Sequence, residues 1–233
     1  MKTLQKKYLP IIEKFKNRAS FDKIERKLYS HDIASLPSLI KKISKNPIAD
    51  LVVQPENEEE IIFLVKWAKE NNIPIVPRGK ATSGYGGVIP LKRGIVIDFY
   101  RMKKIINIDP VKQIVTCEPG ITWEQLDKEL LKHGLTLRLY PTSYLSSTVG
   151  GWFAQGGAGI GSYEYGYFGE NVKYIKAILP DGTIKRIENE ELELFYEAEG
   201  TTGIITEITL KVKTYEEIEV SAFATPDIEK LKK

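Results

Sequence analysis

The chain has very few of the residues that build disulfide frameworks and metal sites. It carries one cysteine, Cys117, and two histidines, His31 and His133, among 233 residues. A single cysteine excludes an intrachain disulfide and favours a reducing compartment, so we predict a cytoplasmic protein. The histidines are far apart in the sequence, with no cluster of cysteines and carboxylates, so we predict no metal site. Cys117 is expected to be a structural residue within a strand.

Long apolar runs and a one-sided charge are also absent. No run reaches the ~18 apolar residues of a membrane span, and the first residues, 1–7, lack the apolar core of a secretory leader. Lysine and arginine total 34 against 31 acidic residues, which leaves a net charge of +3. That balance gives no basic field of the kind that nucleic-acid binders need. We therefore predict no membrane span and no nucleic-acid partner.

Glycine, by contrast, is concentrated directly after a short apolar run. Residues 73–77 predict a buried strand, and the following segment, 79–87, holds four glycines together with Thr82 and Ser83. Glycine lets a backbone approach a ligand closely, so that successive N–H groups converge on an anion. The segment therefore indicates a phosphate or pyrophosphate site or, taken alone, an ordinary turn.

Two common phosphate motifs do not fit the sequence. The P-loop needs serine or threonine after its Gly-Lys pair, where Ala81 stands, and an earlier glycine where Pro74 stands. The Rossmann fingerprint ends in a glycine, whereas a second glycine-rich segment, 156–161, is followed by Ser162 at that place. No strand-like run leads directly into this second segment. A dinucleotide site of the Rossmann type is therefore excluded.

Several short motifs nevertheless occur in the order and spacing of a known family. They include Arg78-Gly79-x-x-Thr82-Ser83, Gly94-Ile95-Val96-Ile97-Asp98, Glu118-Pro119-Gly120, Thr148-Val149-Gly150-Gly151, Tyr165-Gly166, Leu179-Pro180-Asp181-Gly182 and Glu199-Gly200-Thr201-Thr202-Gly203-Ile204-Ile205. From about residue 30 to about residue 212 the chain resembles the FAD-binding domain of the FAD-linked oxidases, the PCMH-type or vanillyl-alcohol-oxidase flavoproteins. The nearest likeness is to the glycolate oxidase/D-lactate dehydrogenase branch.

The resemblance implies an α+β fold, a two-lobed FAD-binding PCMH-type domain with an N-terminal helical segment. We expect that helical segment over 1–45, the first FAD-binding lobe over 46–102 and the second over 103–212. Residues 213–233 then begin a missing or separate cap domain.

Local patterns predict the individual elements. Asn57 and Glu60 form a capping box that opens a helix, which ends at Asn71 and Asn72. A second helix begins at Thr122 and runs to His133, before Gly134. The first helix has as its predicted buried face Ile61, Leu64, Val65 and Ala68. Strands are predicted over 49–53, 73–77, 95–98, 105–108, 113–118, 174–179, 183–187 and 204–212.

The resemblance also implies a site for FAD. The loop that wraps the pyrophosphate consists of Arg78, Gly79, Lys80, Ala81, Thr82, Ser83 and Gly84, with the N–H groups of residues 79–83 as donors. The other implied contacts are Pro141, Thr142, Ser143, Thr148, Gly150, Gly151, Ala154, Gly157, Tyr165, Gly166, Glu199, Gly200, Gly203, Ile204 and Ile205. Lys80 either contacts phosphate or is solvated. Thr82 stands where some relatives carry a histidine bonded to the flavin, so we expect non-covalent, dissociable FAD.

Three features near the implied site have interpretations that do not involve FAD contacts. Trp152 and Phe153 are expected in the core. Gly156 and Gly161 stand where the family often has asparagine and arginine. The tyrosines of the segment 163–167 line either a wet cleft or an ordinary surface.

The implied function is an FAD-dependent oxidoreductase that oxidises a small 2-hydroxy acid, such as glycolate or D-lactate, by hydride transfer to FAD. In the resembled family the base and the carboxylate clamp lie largely in the cap domain, so we assign no catalytic residue here. Two alternatives stay open. One is a non-catalytic flavin-carrying electron-transfer subunit of a multiprotein complex, and the other is a nicotinamide-dependent flavin reductase. A cap domain or an electron-accepting protein is the expected partner.

Overall fold

The computed structural model describes residues 2–33, 37–39 and 47–217, with isolated residues 219, 221–222, 224–226 and 229. Much of the predicted start of a cap domain, and part of the predicted N-terminal helical segment, lies outside these ranges. The helices are α1 (Lys2–Lys7), α2 (Leu9–Phe15), α3 (Lys23–Leu28), α4 (Glu58–Glu70), α5 (Trp123–Leu131), α6 (Val149–Gln155) and α7 (Ser162–Tyr165). Short 3₁₀ turns cover Lys16–Arg18, Phe99–Arg101, Phe168–Asn171 and Asn189–Leu194.

The first sheet has four strands. They are β1 (Ala19–Ser20), β2 (Leu51–Val53), β3 (Ile75–Arg78) and β4 (Ile95–Asp98), in the order β1-β2-β4-β3. Strand β4 runs parallel to β2 and β3, and β1 pairs antiparallel with β2. All four residues of β4 are buried, as expected for a central parallel strand covered on both faces. The predicted bounds of β4 are confirmed.

The second sheet is antiparallel. Its strands are β5 (Ile105–Asp109), β6 (Ile114–Cys117), β7 (Leu135–Leu137), β8 (Val172–Ile178), β9 (Ile184–Glu188) and β10 (Ile204–Thr214). The order is β5-β6-β10-β8-β9, and β7 pairs with the far end of β10. The predicted β8–β9 hairpin is confirmed, with Ile175 opposite Ile187. Strand β7 was not predicted, because three residues after a helix give too short a pattern to recognise.

Helix α4 has the predicted buried face, Ile61, Leu64, Val65 and Ala68. Asn57 caps it by accepting a hydrogen bond from the Glu60 N–H at 3.0 Å. The other half of the predicted capping box is wrong. The Glu60 carboxylate accepts instead from the Glu56 N–H and pairs with both terminal nitrogens of Arg18 at 2.6 Å. A bidentate arginine pair is stronger than the local backbone contact that the sequence pattern favours.

The N-terminal segment packs into the first sheet instead of standing apart from it. Tyr8, Ile11 and Phe15 are buried, at the helical spacing that the sequence predicts. Helicity is interrupted by β1, which extends the sheet by pairing Ala19 with Val53. The sequence did not predict this interruption of the helical segment, because two residues of strand leave no readable periodicity.

Each sheet has its own apolar core, and the two cores touch. The first lies between α2, α4 and the first sheet, and the second lies around α5, α6 and the second sheet. Ile178 of β8 and Ile204 of β10 belong to the second sheet but pack within the first core. The glycine-rich segments lie where the two halves meet.

Candidate functional site

The segment after β3, the first glycine loop (residues 79–87), has an open backbone. Within the described residues, the N–H groups of residues 80–84 find no hydrogen-bond acceptor. Ala81 adopts a left-handed conformation, with φ at 53°. Backbone of this kind, with successive unpaired N–H groups in a turn, forms a concave binding place for anions. This loop therefore has the donors that a phosphate group needs.

Both ends of the first glycine loop are attached to the N-terminal segment. The Gly86 N–H donates to the Asp32 carboxylate at 2.7 Å, and Arg78 donates to the His31 carbonyl at 2.8 Å. The guanidinium of Arg78 also lies over the Tyr29 ring, 5.2 Å from its centroid. Burial lowers the pKa of Arg78. The negative charge of Asp98 is the largest of the effects that raise it again. The Arg78 side chain is thus occupied in holding the loop.

Asp98 joins this attachment to the first sheet. Its buried carboxylate accepts from the Tyr29 hydroxyl at 2.9 Å and from the Gln54 amide at 2.7 Å. Burial, followed by the charge of Asp98, raises the pKa of Tyr29 to about 12. The tyrosine therefore stays neutral and keeps donating its hydrogen bond at any physiological pH.

A longer segment, residues 148–161, contains the second glycine-rich run (156–161) and packs tightly against the first glycine loop. Thr148 caps α6 by accepting from the Gly151 N–H at 3.2 Å. A Cβ atom on Gly79 would collide with the Thr148 hydroxyl, and one on Gly150 would collide with Pro119. Glycine at position 79 lets the first glycine loop come into contact with the segment 148–161, and glycine at position 150 lets α6 come into contact with Pro119.

A third segment, residues 196–205, supports the second. The Tyr196 hydroxyl accepts from the Gly157 N–H at 3.1 Å, and the Glu199 N–H donates to the Ala154 carbonyl at 2.8 Å. Glu199 has a left-handed backbone, with φ at 50°. Burial, followed by the negative charge of Asp32, raises the pKa of the Glu199 carboxyl group.

These segments enclose two cavities that join. A narrow inner cavity of about 70 Å³ and a wide outer cavity of about 660 Å³ share the lining residues Gly79, Val88, Thr148, Gly151 and Glu199. Together they form one cleft, which we call the glycine cleft. Its walls come from both halves of the molecule.

Most of the residues predicted to bind the cofactor line the glycine cleft. The inner cavity takes Arg78, Gly79, Thr148, Gly150, Gly151, Ala154, Glu199, Gly200, Gly203 and Ile205. The outer cavity adds Lys80, Ala81, Thr82, Ser83, Gly84, Pro141, Thr142, Ser143 and Gly157. Lys80 is exposed, and its ammonium group lies over the Tyr100 ring, 4.5 Å from the centroid.

Three predicted residues lie elsewhere. Tyr165 and Gly166 line neither cavity, and the Tyr165 ring instead faces Arg138 and Lys213, each 5.4 Å from its centroid. Ile204 lines a separate apolar groove behind the inner cavity. Tyr163 is fully exposed, as in the surface interpretation.

The sequence did not single out every residue of the cleft. Val88, Phe99, Pro119 and Gln155 also line it. Pro119 belongs to a quoted motif, so its position could have been inferred. The other three have no distinct chemical pattern in the sequence. Trp152 and Phe153 are buried as predicted, and Trp152 also lines the outer cavity.

The structure also bears on metals, membranes and the cysteine. Among the described residues there is no group of three or more His, Cys, Asp or Glu side chains placed to hold a metal ion. Within the same ranges, no helix combines the length and the apolar character that crossing a membrane requires. Cys117 is fully buried in β6, in agreement with its predicted structural role.

A family model described as "FAD binding domain" matches residues 49–188, which is more than half of the chain. The chain belongs to the FAD-binding domain family. Its curated relatives include proteins named as dehydrogenases and as an oxidase subunit. One is a D-lactate dehydrogenase of Archaeoglobus fulgidus, 33% identical over 171 residues, which cover 70% of this chain and 38% of that protein.

Other relatives agree with this assignment. Glycolate oxidase subunit GlcD of Bacillus subtilis is 31% identical over 199 residues, covering 77% of this chain and 42% of that protein. Among solved structures, an alkyldihydroxyacetonephosphate synthase superposes with a TM-score of 0.77 at 28% identity, covering 89% of this chain and 39% of that one. The chain thus spans about two fifths of the length of these relatives.

The glycine cleft fits FAD, the cofactor of this family. Its outer part has unpaired N–H donors for a pyrophosphate, and its inner part is narrow and largely lined by glycine and apolar groups. Flat rings and phosphates both require backbone that comes close without side chains in the way. The feature that opposes an anionic cofactor is the carboxyl group of Glu199.

Proposed function

We propose that this chain is the FAD-binding part of an oxidoreductase that oxidises a 2-hydroxy acid such as D-lactate or glycolate. The observation that carries the proposal is the row of unpaired N–H groups at residues 80–84, lining a cleft of sufficient size in a chain of the FAD-binding domain family. Relatives named D-lactate dehydrogenase and glycolate oxidase subunit supply the substrate class.

In this proposal the residues of the cleft have separate roles. The N–H groups of the first glycine loop hold the pyrophosphate, while Thr148 and Gly151 set the width of the inner cavity. Asp32, His31 and Arg78 fix the loop in place before any ligand arrives, which lowers the ordering cost of binding. When bound, FAD accepts a hydride from the substrate.

We also propose that the FAD is not covalently attached. Thr82 lines the outer cavity, where some family members carry a histidine that bonds to the flavin. A threonine hydroxyl is a poor nucleophile without an adjacent base. Within the described residues no basic side chain shares a hydrogen bond with that hydroxyl.

The remaining chemistry is proposed to come from outside the described residues. A small anionic substrate needs a cationic clamp and a base for its hydroxyl proton. Arg78 lines the inner cavity but is engaged by the His31 carbonyl and the Tyr29 ring, and we assign no base for the hydroxyl proton there. We therefore propose a cap domain or a protein partner that completes the active site. The single buried cysteine is in keeping with the proposed cytoplasmic location.

The visible absorption spectrum of the purified chain tests the proposal directly. We expect a flavin spectrum, either as isolated or after titration with FAD, and we expect the colour to pass the filter after denaturation. Flavin retained by the denatured chain would contradict the non-covalent assignment. Failure to bind FAD under any condition would contradict the function itself.

Anaerobic reduction then distinguishes the substrate classes. With the cap domain or partner present, D-lactate or glycolate should bleach the bound flavin, whereas NADPH should not. Bleaching by NADPH alone would instead select a nicotinamide-dependent reductase. A flavin that only a reduced partner protein can bleach would select an electron-transfer subunit.

A further inference from the structure

Glu199 lies at the point where the inner and outer cavities join. It lines both of them and packs so closely on Gly87 that a Cβ atom there would overlap the Glu199 carboxylate. Within the described residues, its carboxyl group has neither a hydrogen-bond donor nor an ion pair. A charged group in such a place is costly, because burial removes water without supplying a partner.

The groups that face Glu199 do not neutralise it. Asp32, from the N-terminal segment, adds a negative charge. The two cations of the cleft act elsewhere, since Arg78 interacts with Asp98, Tyr29 and Asp32, and Lys80 lies over Tyr100. On the same segment as Asp32, the His31 ring contacts the Asp32 carbonyl at 2.9 Å.

An anionic ligand sharpens this imbalance. The pyrophosphate of FAD would bring more negative charge into a cleft that is lined by Glu199 and that has the charge of Asp32 close to Glu199. A neutral carboxylic acid removes one of these charges and, unlike a carboxylate, can donate a hydrogen bond. Protonation of one carboxyl group thus moves few atoms but removes a full negative charge from the cleft.

We infer that Glu199 takes up a proton when FAD enters the glycine cleft, so that it meets the cofactor as a neutral hydrogen-bond donor and makes FAD affinity depend on pH. The inference rests on the proposed function, because it requires FAD to bind in this cleft. It assigns to Glu199 the role of a cofactor-binding acid.

The sign of the effect follows from linkage. FAD disfavours the ionised form of Glu199, so binding raises the pKa of this carboxyl group further. At a pH below its pKa in the free protein no proton is exchanged and FAD binds most tightly. Between that pKa and the higher one of the complex, the Kd rises by up to about tenfold per pH unit. At a pH above both pKa values, the Kd is constant and high, so FAD binds weakly.

Titration of the 233-residue chain with FAD between about pH 5 and about pH 8 tests the inference. Three proteins are compared, namely the wild type, Glu199→Gln and the control Glu193→Gln, whose carboxyl group is exposed outside the cleft. We expect the Kd to rise with pH in the wild type and the control. In Glu199→Gln it should stay flat, near the tight wild-type value at low pH, because glutamine is neutral and can donate.

Calorimetry in two buffers of different ionisation enthalpy measures the number of protons taken up on binding. We expect the wild type to take up a fraction of one proton per FAD, and Glu199→Gln to take up none. A wild type whose Kd is independent of pH and whose proton uptake is zero would overturn the inference while leaving the FAD site intact.

Two other results have clear meanings. An equal pH dependence in the wild type and in Glu199→Gln would overturn the inference, since the dependence would then come from a group other than Glu199. Absence of FAD binding at every pH would overturn the proposed function instead. Circular dichroism of each variant shows whether it is folded.

Discussion

The two glycine-rich segments use the same residue for opposite purposes. In the first glycine loop the backbone N–H groups of residues 80–84 have no acceptor within the part of the chain that the structure describes, and the loop leaves them accessible. In the segment 148–161 most of the N–H groups are occupied, for example Gly150 by the Pro119 carbonyl and Gly159 by the Ser162 hydroxyl. Here glycine permits close packing. One loop is thus built for a ligand, and the other supports it.

The comparison predicts that changes in the second segment mainly affect stability, whereas changes in the first mainly affect FAD binding. The largest effect is expected for Gly150→Ala. Its Cβ atom would overlap Pro119 within a buried helix, and overpacking of this kind costs about 1–3 kcal/mol of unfolding free energy. Urea denaturation of the variant measures it.

Gly134→Ala is the matched control for that experiment. Gly134 has open space around its Cα but a φ of 68°, so alanine there meets strain without overlap, at a cost of about 1–2 kcal/mol. If Gly150→Ala lowers the free energy of unfolding by less than this control does, then close packing at Gly150 does not contribute to the stability of the second segment.

The first glycine loop is tested by Ala81→Pro. Proline lacks an N–H group and cannot adopt the observed φ of 53°, so the row of donors is broken. We expect FAD affinity to fall about tenfold or more, because a hydrogen bond to a charged group contributes about 1.5–3 kcal/mol. Isothermal titration with FAD measures the change, and unfolding free energy should change much less.

Ala81→Gly keeps the N–H group and the left-handed backbone, so it should bind FAD like the wild type. Loss of affinity in the glycine variant as well would mean that the methyl group of Ala81, and not the backbone, matters. Equal affinity in the proline variant would remove the first loop from the site.

An intermediate effect is expected for Thr148→Val, which deletes the hydroxyl that caps α6. The loss of an N-cap costs about 1 kcal/mol of unfolding free energy, and the wall opposite Gly79 should loosen. Thr122→Val, at the cap of α5 away from the cleft, should cost as much stability. FAD affinity should fall in the first variant only, and an equal fall in both would indicate a general loss of folding.

The smallest effect is expected for Lys80→Gln. The Lys80 ammonium lies over the Tyr100 ring. An exposed cation–π contact stabilises by about 0.5–1 kcal/mol, and here we expect it to stabilise the loop conformation and not the bound FAD. We expect the Kd for FAD to change less than about threefold at moderate salt, where exposed charges are screened. A change beyond about tenfold would indicate a direct phosphate contact.

The sequence predicted what depends on local pattern. Strand β4 and the buried face of α4 follow from unbroken or helical apolar spacing, and the Thr122 cap follows from its glutamine three residues on. Most of the residues implied by the family resemblance line the cleft. These signals lie within a few residues of one another.

What the sequence could not predict depends on distant contacts. Helix α6 contains two adjacent glycines, which lower helix propensity. It forms because Thr148 caps it and because its own Trp152 and Phe153 side chains are buried in the core. The attachment of the first glycine loop to Asp32 joins residues 54 positions apart. No local pattern marks Asp32 or Tyr29 as partners of that loop.

The glycine cleft has one further consequence, which follows from its walls coming from both halves of the molecule. Gly79 belongs to the end of the first sheet, while Thr148 and Glu199 belong to the second half, and Gly200 packs against Pro77 across the boundary. A ligand held there acts as a removable cross-link between the two halves. At a free concentration about one hundred times its Kd, it adds about 2.7 kcal/mol to the resistance of the whole chain to unfolding. Cofactor supply would then set the lifetime of the protein as well as its activity.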